Sequence, residues 1–162
     1  MSTTTQAPRQ LDPSASLHPE TLGLAPGRGR LAGRKIIVVG AGQRKIVDEA
    51  PPIGNGRAMS VLFAREGAHV ACIDIDKDAA DNTVAQIASE GGKAFTEVVD
   101  VADTAAIAPA VEHCAQKLAG LDGLALNVGV SCGLPLAKMT AEAWTAIMRS
   151  TCAATCCSRR RR

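Results

Sequence analysis

The stretch from Lys35 to Asp74 limits what this chain can fold into more than any other. It opens on an apolar run, Ile36-Ile37-Val38-Val39, and enters a glycine turn, Gly40-Ala41-Gly42. A second glycine pair follows, Gly54-Asn55-Gly56, then a helical pattern from Arg57 to Gly67. A second apolar run, His69-Val70-Ala71-Cys72-Ile73, ends on Asp74. Short continuous apolar runs suit parallel strands buried on both faces. Glycines let the backbone turn sharply and let another group approach where a Cβ would collide. A helix starting just after them presents free N–H groups and the positive end of its dipole, which suits a phosphate. Strand, glycine turn, helix, strand, acid is the layout of a dinucleotide-binding βαβ unit. Asp74 lies 18 residues after Gly56. A carboxylate there can accept hydrogen bonds from an adenosine ribose and repels a 2′-phosphate, so the pattern favours NAD over NADP.

The rest of the chain repeats the alternation. Eleven residues, Gln43 to Ile53, are inserted between Gly42 and Gly54, and Pro51-Pro52 rules out a continuous helix there. Arg44 or Lys45 could reach a phosphate, but a solvated loop accounts for them more simply. After Asp74 a helix is expected over Asp78–Ser89, then a strand over Ala94–Val99 ending in Asp100-Val101. The next helix, capped by Asp103 or Thr104, runs to about Leu118, with Pro109 marking a late start or a kink. Gly123–Leu126 reads as a fourth strand, followed by Asn127-Val128-Gly129, and Thr140 caps a last helix. Strands alternating with helices predict an α/β fold: a Rossmann-type doubly wound parallel sheet of about four strands in the order 3-2-1-4. A nucleotide would sit at the switch point between strands 1 and 4.

Charge and composition remove other classes. The net charge of +2 hides an asymmetry, because residues 149–162 carry five Arg and no acid, so residues 1–148 sum to −3. That is no basic surface for nucleic acid. No stretch is apolar enough to span a membrane, and the N-terminus lacks a signal-peptide pattern. Six Cys, unevenly spaced, read as free thiols in a reduced, cytoplasmic protein. His69 and His113 have no partners at metal-ligand spacing. The expected organisation is a flexible Ser/Thr/Pro/Gly-rich arm over 1–30, a nucleotide-binding domain over 31–148, and an irregular Cys/Arg-rich tail over 149–162. Leu22-Gly23-Leu24 is where the arm could touch the domain edge.

With these motifs in order, the chain from about Leu31 to Met148 resembles the short-chain dehydrogenase/reductases. Gly40, Gly54 and Gly56 resemble the glycines of that family's TGxxxGxG turn, with Val39 in the Thr position and about ten extra residues after the first glycine. The resemblance implies that Gly40, Gly42, Gly54, Asn55 and Gly56 shape the pyrophosphate turn. It implies that Asp74 holds the ribose, that Asp100 and Val101 contact the adenine, and that Asn127 and Gly129 line the inner face of the cofactor. The implied activity is NAD(P)-dependent interconversion of an alcohol and a carbonyl by hydride transfer. The implied substrate is a small molecule, and the implied homo-oligomer contacts run through helices present here only in part. The alternative is a non-catalytic NAD-binding or interaction module.

The catalytic half of the resemblance is unfilled. The family uses a Ser, an Asn and a Tyr-x-x-x-Lys pair, and the 162 residues contain no Tyr. The relay Asn is due about seven residues after Trp144, where Thr151 stands. No catalytic residue is therefore assigned, and the chain is expected to hold the cofactor half alone. Residues 149–156, Arg-Ser-Thr-Cys-Ala-Ala-Thr-Cys, can be encoded so that a shifted frame spells Val-Asn-Leu-Arg-Gly-His-Met. The family tends to read Val-Asn-Leu at this place, so the tail is expected to be an out-of-frame reading of a longer gene. The genomic DNA from codon 140 onward should then continue, in the shifted frame, through Val-Asn-Leu to a Tyr-x-x-x-Lys. In-frame codons with no such reading beyond them would overturn the expectation.

Overall fold

The computed structural model describes residues 19–20, 22–43, 53–129 and 133–158. Its centre is a four-stranded parallel sheet of β1 (Lys35–Val39), β2 (His69–Asp74), β3 (Lys93–Val98) and β4 (Gly123–Leu126), in the order β3-β2-β1-β4. The helices are α1 (Asn55–Arg65), α2 (Lys77–Ser89), α3 (Thr104–Leu118) and α4 (Ala141–Ser158). The order 3-2-1-4 expected from the alternation is the order found. The first three helices each follow one strand and lead to the next, which is how parallel neighbours are joined.

Alternation along the central strands divides the core in two. Ile36, Val38, Val70 and Cys72 face α1 and α2, where Val61, Ala64 and Ile87 meet them. Ile37, Val39, Ala71 and Ile73 face α3, against Ala110, Cys114 and Leu118. Both faces of β1 and β2 are covered, which is why their sequences are continuously apolar rather than alternating. The two central cysteines are buried free thiols. Burial pushes Cys72 up to about 11 and Cys114 up to about 12, so both stay protonated and behave as small apolar residues.

Two boundaries, the start of α1 and the end of α4, differ by more than a residue from those expected, and α3 has its expected Asp103 cap. Helix α1 begins at Asn55, two residues before Arg57. Helix α3 starts at Thr104 with the Asp103 carboxylate accepting from Ala105 N–H at 3.0 Å, so Pro109 does not delay it. The tail expected to be irregular is helical as far as Ser158. No Gly or Pro interrupts Ala141–Ser158, and once a helix is under way each added residue gains a hydrogen bond without a new nucleation cost.

The described part of the arm, expected to be flexible apart from a contact at Leu22-Gly23-Leu24, is tied to the C-terminal end of α1, with Gly23 against the Arg65 guanidinium. Leu31 N–H donates to Glu66 O at 2.9 Å, Arg30 N–H to Glu66 Oε2 at 2.9 Å, and Arg30 Nη2 to Glu66 Oε1 at 2.6 Å. Glu20 pairs with Arg28, and Arg65 forks onto Glu90 at 2.6 and 2.9 Å. The pairs Arg28–Glu20 and Arg30–Glu66 join residues 8 and 36 positions apart, and nothing in the sequence marks them as partners.

The Arg30 guanidinium and backbone hold the Glu66 carboxyl at about 2, below its ordinary value near 4.5. A depressed carboxyl contributes stability that is complete above the unfolded value and lost as pH falls through the folded one. Melting temperature should therefore fall between about pH 4.5 and 2 partly through this pair. Glu66→Gln should flatten that part of the curve while lowering the neutral-pH plateau.

Candidate functional site

The strand order reverses between β1 and β4, and a cleft of about 380 Å³ opens there at the carboxyl ends of the strands. In open α/β sheets this crevice is where ligands bind. All ten residues singled out from the sequence line it: Gly40, Gly42, Gly54, Asn55, Gly56, Asp74, Asp100, Val101, Asn127 and Gly129.

The floor is the turn after β1. Gly40 adopts φ +77°, a conformation an L side chain resists. The N–H groups of Gly40 and Ala41 both reach Ile73 O, at 2.8 and 3.0 Å. Asn127 holds β4 against this turn, its backbone N–H donating to Val39 O at 2.9 Å and its Nδ2 to Gly40 O at 3.3 Å. A Cβ placed on Gly56 would lie 1.7 Å from Gly40 O. The first turn of α1 therefore sits directly on the glycine turn, at a distance only a glycine permits.

Helix α1 is also the one whose N-cap residue has no side chain to close its start. Asp76 caps α2 by accepting from Ala79 N–H, Asp103 caps α3, and Thr140 accepts from Ala143 N–H at the start of α4. Gly54 caps α1 with backbone alone, and no acid lies in its first turn. The cap's own N–H donates to Gln43 Oε1, and the positive end of the α1 dipole faces the cleft with no acidic side chain in its first turn.

The Asp74 carboxylate stands on the rim. Its Oδ2 accepts from Gly42 N–H at 2.7 Å and its Oδ1 from Asp76 N–H at 3.1 Å. Two backbone donors fix its plane while lone pairs on both oxygens stay available. Asp100 is turned by an Ala102 N–H at 2.8 Å, and Val101 packs on the α3 side of the core. No basic residue is among the described residues lining the cleft.

Sequence reasoning missed Gln43, Ile75 and Val99, which also line the cleft. Ile75 is 64% exposed beside the acid, and an apolar residue straight after a strand-ending Asp was a readable signal. Gln43 had none. Its Oε1 accepts from Gly54 N–H at 3.2 Å, so the insertion leaves and rejoins the site at adjacent points and the glycine turn closes across it. Arg44 and Lys45 lie outside the described residues.

A family model described as short chain dehydrogenase matches residues 50–158, running past the boundary drawn at residue 149. The chain is 33% identical over 119 residues to the 3-oxoacyl-[acyl-carrier-protein] reductase FabG of Thermotoga maritima, an alignment covering 74% of this chain and 44% of that protein. A short chain dehydrogenase from Burkholderia cenocepacia, solved in complex with NADP, superposes with a TM-score of 0.65 at 27% identity, over 81% of this chain and 51% of that one. Carveol dehydrogenase from Mycobacterium avium, solved in complex with NAD, superposes with a TM-score of 0.66 at 25% identity, over 80% and 49%. The chain spans about half the length of these relatives.

The Gly56 contact predicts a sharp contrast in stability. Gly56→Ala must push α1 off Gly40 O and should cost about 2 kcal/mol or more in urea unfolding. Gly129→Ala, whose Cβ would meet nothing within 4 Å, should stay within about 0.5 kcal/mol of the parent.

Proposed function

Since the chain belongs to the short-chain dehydrogenase family, we propose that its cleft holds the adenosine and pyrophosphate half of a nicotinamide dinucleotide, with NAD preferred to NADP. The fit rests on a cradle that a single Cβ would fill. Gly56 leaves room for α1 to approach Gly40 O, and the α1 N-terminus, capped by a glycine without a side chain, faces the resulting space. In this reading the first N–H groups of α1, around Asn55 and Gly56, take the pyrophosphate, and Gly54 allows it to come close. Asp74 accepts from the ribose hydroxyls with the lone pairs its two backbone donors leave. Asp100 and Val101, with Ile75 opposite, flank the adenine. Asn127 and Gly129 line the side toward the nicotinamide.

The observation that carries the preference for NAD is the fixed Asp74 carboxylate on a rim whose described residues include no cation. A 2′-phosphate there would meet a negative charge held in place, with no cation among the described lining residues to offset the repulsion. The similar structures were solved with either dinucleotide, so the preference comes from this chain's own residues.

The bound dinucleotide would supply or accept hydride in an alcohol–carbonyl interconversion. Such chemistry also needs a group that moves a proton at the substrate oxygen. The family's choice is a Tyr, and these 162 residues hold none. We therefore assign dinucleotide binding to this chain, and alcohol or carbonyl turnover to a longer form carrying the Ser, Tyr and Lys. A binding module without turnover is the second reading, and the missing Tyr favours it for the chain as given.

Fluorescence titration with NADH and NADPH tests the binding and its preference. The parent chain should bind NADH at least about tenfold more tightly than NADPH, a difference of ~1.4 kcal/mol. Asp74→Ala should weaken NADH and bring the two affinities together. Unchanged binding of both would remove Asp74 from the site, and steady NAD-dependent oxidation of an alcohol by the 162-residue chain would overturn the assignment of binding without turnover.

A further inference from the structure

We propose that Thr83, buried in α2 behind the glycine turn, is a positioning residue for dinucleotide binding; this rests on the reading of the cleft given above. Thr83 is fully buried, and it touches none of the cleft. Its hydroxyl lies 3.0 Å from Ala41 O and 3.2 Å from Ala79 O. The second contact is the local bond any helical threonine can make to the turn before it. The first is tertiary, and it supplies the donor for the carbonyl of a residue that is itself fully buried between Gly40 and Gly42.

The neighbouring contacts give that bond its consequence. A Cβ on Gly42 would lie 2.7 Å from Ala79 Cβ, so α2 presses on the turn one helical turn away from Thr83. Gly40 O is held by Asn127, Ala41 O by Thr83, and Gly42 N–H by Asp74. Three consecutive residues are thus anchored to β4, α2 and β2 in succession. Without the middle anchor the Ala41–Gly42 peptide is held by the Gly42–Asp74 bond alone and can tilt about it. Its movement displaces both the Gly40 carbonyl on which α1 rests and the Gly42 N–H that orients Asp74. A buried carbonyl that loses its donor is left unsatisfied, which favours rotation toward another donor.

Thr83→Val keeps the shape of the side chain and removes the donor, whereas Thr83→Ser keeps the donor. NADH titration and amide exchange at Gly40, Ala41 and Gly42 are the two readouts. Thr83→Val should weaken NADH about fivefold or more, the effect of one lost buried hydrogen bond, and speed exchange at those three amides above that of the β2 and β3 amides. Thr83→Ser should restore both. A purely structural role would lower the melting temperature and raise exchange throughout the sheet, with NADH affinity unchanged in the folded fraction, and that result would overturn the proposal. Should Thr83→Val fail to fold, Thr83→Cys, a weak donor of serine size, is compared with Thr83→Ser in the same readouts. A parent chain that binds neither NADH nor NADPH would overturn the cofactor reading, and local exchange at Gly40–Gly42 would still decide whether Thr83 holds the turn.

Discussion

The approach of α1 to the carbonyl of Gly40 sets the geometry of everything above the sheet. It exists because residue 56 has no Cβ, which would otherwise fall 1.7 Å from that oxygen. With the helix seated there, its N-terminus points into the space between β1 and β4, and α1 lies low enough for Val61 and Ala64 to reach the strands. Burial of the helix and orientation of its dipole are therefore set together by one contact. A bulkier residue would have to raise the helix and give up part of both.

The turn beneath has little backbone left to offer a ligand. Gly40 and Ala41 donate to β2, Gly42 donates to Asp74, and the carbonyls of Gly40 and Ala41 are each held by a side chain. The turn is a scaffold, and the donors that face the cleft belong to α1. That division suits an anionic ligand, because the groups that hold its shape and the groups that bind it are separate.

Much of this was legible in the sequence, for identifiable reasons. Ile36–Val39 and Val70–Ile73 are buried on both faces, so their unbroken apolar runs gave away central parallel strands. Gly40, Gly42, Asp74, Asp100-Val101 and Asn127 end or closely follow strands and Gly54 and Gly56 open α1, where the alternation of elements already placed them on one edge. The grip of Thr83 on Ala41 joins residues forty-two positions apart, and a threonine in a helical stripe carries no mark of its partner. The arm was misread because composition describes it in isolation, while Glu66 and Arg65 supply its contacts. The tail has no apolar period, and α4 runs on to Ser158 without one because no Gly or Pro stops a helix already under way.

The hydrogen bond from Gly54 N–H to Gln43 Oε1 makes the insertion a sidetrack with one junction. Its two ends meet beside the turn, so the sheet and α1 do not register how much chain lies between them. Lengthening such an excursion costs only about 0.6 kcal/mol per doubling. The spacing between the first and second glycines is then free to drift over generations while the turn keeps its form. A pattern that counts residues between glycines will overlook chains of this kind, whereas one that asks which glycines touch will find them. For protein engineering, the same junction is a port where a sensor peptide or a tag could be spliced in beside the cleft without re-threading the fold.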